Sequence, residues 1–151
     1  HPAMARSAFR FVLPHRVRYA EVDAQGIVFF GNYLTFFDNA MTDYFRQFGF
    51  APATHVKETG ADFHIVKADI DYRAPVPLDA EIDICVRASR IGRSSLTFAG
   101  EIHPRGRDEC MATVTMIWVY TDQATRKSTP LPDAFRAGIL AYEGEALASA
   151  S

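Results

Sequence analysis

The hydrophobic pattern changes period several times along the chain, and each change predicts an element. From His15 to Ala20, Val17 and Tyr19 alternate with Arg16 and Arg18, the period-two signature of a half-buried strand. Val22 to Gly31 carries Gly26 and Gly31 and reads as a loop. From about Asn32 to Gln47 the period becomes helical. Tyr33, Leu34, Phe36, Phe37, Ala40, Met41, Tyr44, Phe45 and Phe48 fill one half of the wheel, an arc of roughly 180°. Thr35, Asn39, Thr42, Asp43 and Arg46 fill the other half. Asn32 is placed to cap the helix start, and Gly49 to stop its end. So wide an apolar face predicts a helix lying against a large sheet.

The remaining pattern is mostly period two. Val66, Ala68, Ile70 and Tyr72 alternate with polar neighbours until Ala74-Pro75-Val76-Pro77 breaks the ladder, because proline removes a donor. Ala80, Ile82, Ile84, Val86 and Ala88 form a second run, and Ile91-Gly92-Arg93-Ser94 reads as a hairpin turn. Leu96, Phe98, Gly100 and Ile102 continue in a third, followed by a turn at His103–Asp108. Met111 to Tyr120 is apolar on both faces, which predicts a central strand covered on both sides. Pro130-Leu131-Pro132-Asp133 opens a short helix with Asp133 as cap and Phe135, Ile139 and Leu140 on one side. Strands clustered after one helix imply an α+β domain whose antiparallel sheet of about five strands wraps a long central helix. The expected domain is 4–143. Residues 1–3, ahead of Met4, read as a cloning scar, and 144–151 as a frayed tail.

Composition then narrows the function classes. Of 151 residues, 48% are hydrophobic, enough to fill a real core. A net charge of −2, from 16 basic and 18 acidic residues, argues against a nucleic-acid binder. No apolar run approaches the roughly 20 residues that span a bilayer, and no signal-peptide pattern is present, so membrane insertion is not expected. Cys85 and Cys110 lie in or beside predicted strands and are not spaced as a metal site; they read as reduced, packed thiols of a cytoplasmic protein. There is no Gly-x-Ser-x-Gly elbow and no phosphate-cradling glycine loop.

The candidate chemistry lies between Arg18 and Arg46. Asp23 sits just before Gly26 and a run of apolar residues that leads into the long helix. A carboxylate is thereby brought near a helix N-terminus, whose free N–H groups stabilise negative charge. The plain alternative is a turn-forming Asp that bonds its own backbone. His64 and His103 sit in or beside strands and read as structural or exposed.

The stretch Asp23-Ala24-Gln25-Gly26-Ile27-Val28-Phe29-Phe30-Gly31-Asn32-Tyr33 resembles the signature of the hotdog-fold acyl-CoA thioesterases, in particular the 4-hydroxybenzoyl-CoA thioesterase family with its Tol–Pal-associated members. Similarity continues through Val66–Pro75 and Leu78-Asp79 and ends near Pro130-Leu131-Pro132. The resemblance implies that Asp23 is the catalytic carboxylate and that the backbone N–H groups of Phe30 and Gly31 polarise the thioester carbonyl. It implies that Asp38 faces the site, or else is a solvated helix carboxylate. Gly26, Ile27, Val28, Phe29, Tyr33 and Phe37 are then candidates to line the acyl pocket, where the plain reading of the aromatics is core. Arg90, Arg93 and Ser94 match a turn that contacts the CoA nucleotide, against the plain reading of exposed hairpin charges. Relatives often carry Tyr or His where this chain has Phe30, so only a backbone donor and an apolar wall remain there. The implied substrate is an acyl-CoA, with no metal and no cofactor beyond the CoA of the substrate. The implied assembly is a homodimer or homotetramer with the site between subunits. Hydration of a thioester and non-catalytic acyl-CoA binding remain the alternatives.

Overall fold

In a computed structural model, which describes residues 2–144 and Leu147, the chain forms five strands and three α-helices. The order is β1 (Phe11–Arg16), α1 (Asn32–Arg46), α2 (Pro52–Thr59), β2 (Ala61–Tyr72), β3 (Glu81–Ile91), β4 (Ser95–Pro104), β5 (Ala112–Asp122) and α3 (Asp133–Glu143). Short 3-10 turns lie at Arg6–Ala8 and Tyr19–Glu21. The strands make one antiparallel sheet in the order β1-β3-β4-β5-β2. The predicted α+β class and strand number are those observed.

Several predicted boundaries move, each for a local reason. β1 starts at Phe11, because Phe11, Val12 and Leu13 pair with Val86, Cys85 and Ile84. Pro14 is tolerated there because β1 is an edge strand. The alternation at Val17 and Tyr19 is not strand: Glu21 Oε1 accepts the Arg18 N–H at 2.8 Å and curls Tyr19–Glu21 into the 3-10 turn. α2 is absent from the hydrophobic pattern because none of its residues is buried. β2 begins at Ala61 rather than Val66. β5 buries one face, while Thr115, Ile117 and Val119 on the other are only half-buried, and β4 rather than β5 occupies the centre of the sheet, with β5 beside edge strand β2. Leu34 falls off the buried face of α1 and is 44% exposed. Asn32 lies inside α1, and its side-chain amide donates to Glu21 O at 2.9 Å rather than capping the helix. Asp133 is the first residue of α3, with Pro132 at the cap position. Gly49 ends the run after α1 with φ +78, a conformation that glycine adopts without strain. The tail expected at 144–151 lies outside the described residues except for Gly144 and a buried Leu147, as does His1 of the expected scar.

The chain divides into two compact units, 1–41 with 70–87 and 100–114, and 42–69 with 88–99 and 115–151. In the first, Phe36, Phe37, Ala40 and Met41 of α1 are fully buried. Gly100 on β4 makes room for them: a Cβ there would lie 2.7 Å from Val114 and 2.9 Å from the Phe37 ring. In the second unit, Phe45 of α1 stacks on Phe63 at 5.1 Å and meets Phe98 and Trp118 edge-on at 5.6 and 5.3 Å. Such ring pairs contribute about 0.5–1.5 kcal/mol each beyond their burial. Tyr44 donates its hydroxyl to Glu143 Oε2 at 2.5 Å, and the same oxygen accepts the Ala88 N–H at 3.0 Å, so α3 is held by a shared carboxylate.

Candidate active site

The loop before α1 is built by its own backbone. Asp23 N–H donates to Ile27 O and Gly26 N–H donates to Asp23 O, both at 2.9 Å, closing a tight turn above the Val22–Val28 bridge. Gly26 holds φ +76, which favours glycine at this turn. Val28 N–H donates to Val76 O at 2.8 Å and Leu78 N–H to Gly26 O at 2.9 Å, so the segment after β2 clamps the loop. Glu21 O accepts from Phe29 N–H at 3.0 Å as well as from the Asn32 amide. Asn32 N–H then donates to Phe29 O at 2.9 Å, closing a second turn around Phe30-Gly31. Among the described residues, the N–H groups of Phe30 and Gly31 make no backbone hydrogen bond, although those of Phe29 and Asn32 on either side do. Both residues are exposed at the start of α1, where the helix carries its partial positive charge.

Asp23 is exposed, and its Oδ1 accepts the Gln25 N–H at 2.8 Å. The turn-forming role is therefore real, and it also fixes where the carboxylate stands. Asp23 lines a cavity of about 350 Å³ with Ile27, Val28, Phe30, Tyr33, Tyr72, Arg73, Ala74 and Pro75. Five of the sequence-selected residues thus share one wall. Asp23 and Gly26 also line a neighbouring cavity with Tyr19, Val22, Ala24 and Leu78. The far wall of the first cavity, Tyr72–Pro75, is not among the residues that the sequence singles out. Its signal is nonetheless present: the alternation ends in Tyr72, and Ala74-Pro75 then turns the chain away. Tyr72 meets the Tyr33 ring edge-on at 4.9 Å and donates its hydroxyl to Phe30 O at 3.0 Å. Burial, and then Tyr72, push the Tyr33 hydroxyl above the usual tyrosine range.

The other selected residues lie elsewhere. Phe29 is half exposed and packs on Phe30 at 4.5 Å rather than lining either cavity. A Cβ at Gly31 would lie 2.9 Å from the Phe29 ring, so glycine lets that ring fold over the helix start. Phe37 is a core side chain against Gly100, which corrects its expected place in the pocket. The wide apolar face makes core and pocket positions indistinguishable in the sequence. Asp38 is exposed on α1 and lines neither cavity; partial burial raises its carboxyl above the usual range. Arg90, Arg93 and Ser94 belong to the second unit, with Arg90 and Arg93 exposed at the β3–β4 turn. Arg136 fixes that turn through Gly92 O at 2.6 Å and Arg93 O at 3.1 Å, and Leu131 N–H donates to Arg93 O at 3.0 Å.

Metal-ligand residue types meet once among the described residues, at Glu101, His103 and Cys110, whose donor atoms lie within 4.8 Å of one another. Glu101 and His103 share one face of β4 and bond at 2.8 Å through Glu101 Oε1 and His103 Nε2. Met4 N–H donates to Glu101 Oε2 at 2.7 Å. The carboxylate therefore already has protein partners, as a buried hydrogen-bonded network requires.

An antiparallel sheet with a long aromatic helix is the architecture of the hotdog-fold thioesterase structures. A family model described as thioesterase-like superfamily matches residues 17–139. The chain belongs to that superfamily and is a thioester hydrolase. It is 31% identical to the acyl-CoA thioester hydrolase YbgC of Escherichia coli O6:H1 strain CFT073, over 66% of this chain and 72% of that protein. Its fold is similar to that of the 1,4-dihydroxy-2-naphthoyl-CoA thioesterase of Synechocystis, with a TM-score of 0.80 at 19% identity over 85% of this chain and 94% of the other. A Thermus thermophilus thioesterase crystallised with coenzyme A and Zn is similar at a TM-score of 0.77 and 26% identity, over 91% of this chain and 96% of the other.

Proposed function

We propose that this enzyme hydrolyses an acyl-CoA thioester to free CoA and a carboxylic acid, with Asp23 as the acting carboxylate. The observation that supports this most is the shared cavity: Asp23 and Phe30 line one wall beside the start of α1, where two N–H groups lack a backbone partner. The thioester carbonyl oxygen gains negative charge as its carbon becomes tetrahedral. The Phe30 and Gly31 N–H groups are the donors we assign to it, and such donors contribute on the order of 10²–10³-fold each. Asp23 either takes a proton from the attacking water, or attacks the carbonyl itself and forms a mixed anhydride that water then opens. In both routes the C–S bond breaks and CoA leaves as the thiolate. Ile27, Val28, Phe30 and Tyr33 supply the apolar wall beside these groups.

The cavity wall is aromatic, and relatives include 1,4-dihydroxy-2-naphthoyl-CoA hydrolases of Synechococcus as well as YbgC proteins named only for acyl-CoA. We extend the site to an aryl- or fatty acyl-CoA, with Arg90, Arg93 and Ser94 as candidate contacts for the nucleotide phosphates and Asp38 as an accessory carboxylate. We take the working enzyme to be a cytoplasmic homodimer or homotetramer without metal or separate cofactor. No helix among the described residues is long and apolar enough to cross a membrane. The second reading is a non-catalytic acyl-CoA-binding module, or another thioester reaction such as hydration. The apolar Phe30 and the engagement of Asp23 Oδ1 by Gln25 favour it.

The test is CoA release from a panel of aryl-CoA and short- to long-chain fatty acyl-CoA esters. Release from at least one ester, ranked by acyl group, is the expected result and identifies the acyl class. Tight binding of a non-hydrolysable analogue without release from any ester would establish the binding module instead.

A further inference from the structure

Phe29-Phe30-Gly31-Asn32 is a β-turn closed by the Asn32 N–H on Phe29 O, and its central peptide joins Phe30 to Gly31. Central turn peptides flip readily when glycine follows them, because glycine accepts the positive φ that the flipped form needs. Gly31 does not take a positive φ here. A flip would replace the Gly31 N–H with the Phe30 carbonyl oxygen, putting a partial negative charge where the reaction develops one. Two groups oppose that flip by holding Phe30 O: the Tyr33 N–H at a long 3.4 Å, and the Tyr72 hydroxyl at 3.0 Å. Tyr72 reaches Phe30 O from β2, 42 residues further along the chain, and its ring is steadied edge-on against Tyr33 at 4.9 Å. Its hydroxyl also draws electron density toward the oxygen of the same peptide that carries the Gly31 N–H. Cooperative polarisation of this kind strengthens a hydrogen bond by about 10–30%.

We propose that Tyr72 is a positioning residue for thioester hydrolysis: its hydroxyl locks the Phe30–Gly31 peptide with the Gly31 N–H presented as a donor to the forming oxyanion. This rests on the hydrolase reading of the cavity that Asp23, Phe30 and Tyr72 share. The donor matters more in the transition state than in the bound ester, so the loss belongs in kcat and not in KM.

The experiment is Tyr72→Phe, which keeps the ring on Tyr33 and removes only the hydroxyl. It is followed by steady-state kinetics on the best ester of the panel and by the Gly31 amide resonance in 15N-labelled protein. We expect kcat to fall about tenfold with KM within about twofold, and the Gly31 amide to shift while amides of β1 and β3 stay in place. A Gly31 amide that does not move overturns the lock, whatever the kinetics. An unchanged kcat in an enzyme that hydrolyses the ester overturns the positioning role. If the wild type releases no CoA from any ester, the hydrolase reading falls with the positioning role, while the amide resonance still decides the lock.

Discussion

At the scale of single residues, both thiols are raised well above their ordinary range by their surroundings. Burial pushes the Cys85 thiol up to about 12, and Asp83 adds to that. Burial and then Glu101 push Cys110 up to about 11. The thiolate is the reacting form, so both side chains are held in their inert state near neutral pH. At pH 8 a disulfide reagent is expected to label the native protein slowly, and to label both cysteines on unfolding. Rapid labelling of two thiols per native chain would contradict these environments. The outcome has a practical side, since CoA release is read with the same reagent.

At the scale of elements, α2 gives a prediction that the hydrophobic pattern could not. His55 bonds Tyr120 at 2.5 Å through Nε2 and packs on Phe50 at 4.4 Å, and its half-buried position lowers its pKa while Asp62 and Glu58 pull upward. The unfolded chain therefore takes up the proton first as pH falls. The stability that neutral His55 contributes is complete above its ordinary value of 6.5 and is lost progressively below it. Urea midpoints measured between pH 7 and pH 5 are expected to fall in the wild type and to fall less in His55→Gln; parallel slopes would contradict this. Elsewhere, what is legible in the sequence follows from burial. α1, β3, β4 and β5 bury a full face, so period alone locates them. α2 buries no residue, and only Pro52 at its first turn and Gly60 after its last mark it. β1 is misplaced by the pattern because Val17 continues the alternation into a turn that Glu21 creates from three residues away.

At the scale of the molecule, the carboxylate loop is readable because its geometry is local: Asp23, Gly26 and the start of α1 are adjacent in the chain. The far wall is not, because Tyr72–Pro75 are brought to the cavity by long-range contacts, the pairing of Val28 with Val76 and the Tyr72 hydroxyl on Phe30 O among them. Phe37 shows the reverse failure, a ring at helical spacing that the core claims. The assembly follows a similar logic. β2 is an edge strand of 12 residues that leaves Ile65, Val66 and Tyr72 exposed, and an apolar open edge is a template for pairing. Sedimentation at micromolar concentration is expected to give a dimer or tetramer, and Val66→Lys to lower the mass or weaken the association. A monomeric wild type would overturn the assembly proposed above.

The central claim is that Asp23 performs the hydrolysis, and one comparison tests it most directly: CoA release by wild type and by Asp23→Asn on the same ester. The amide preserves size and can still accept the Gln25 N–H, so the turn that positions the side chain survives. The account predicts a fall in kcat of about 10²-fold or more in a protein whose circular dichroism is unchanged. Equal rates in the two proteins would contradict it and remove Asp23 from the chemistry.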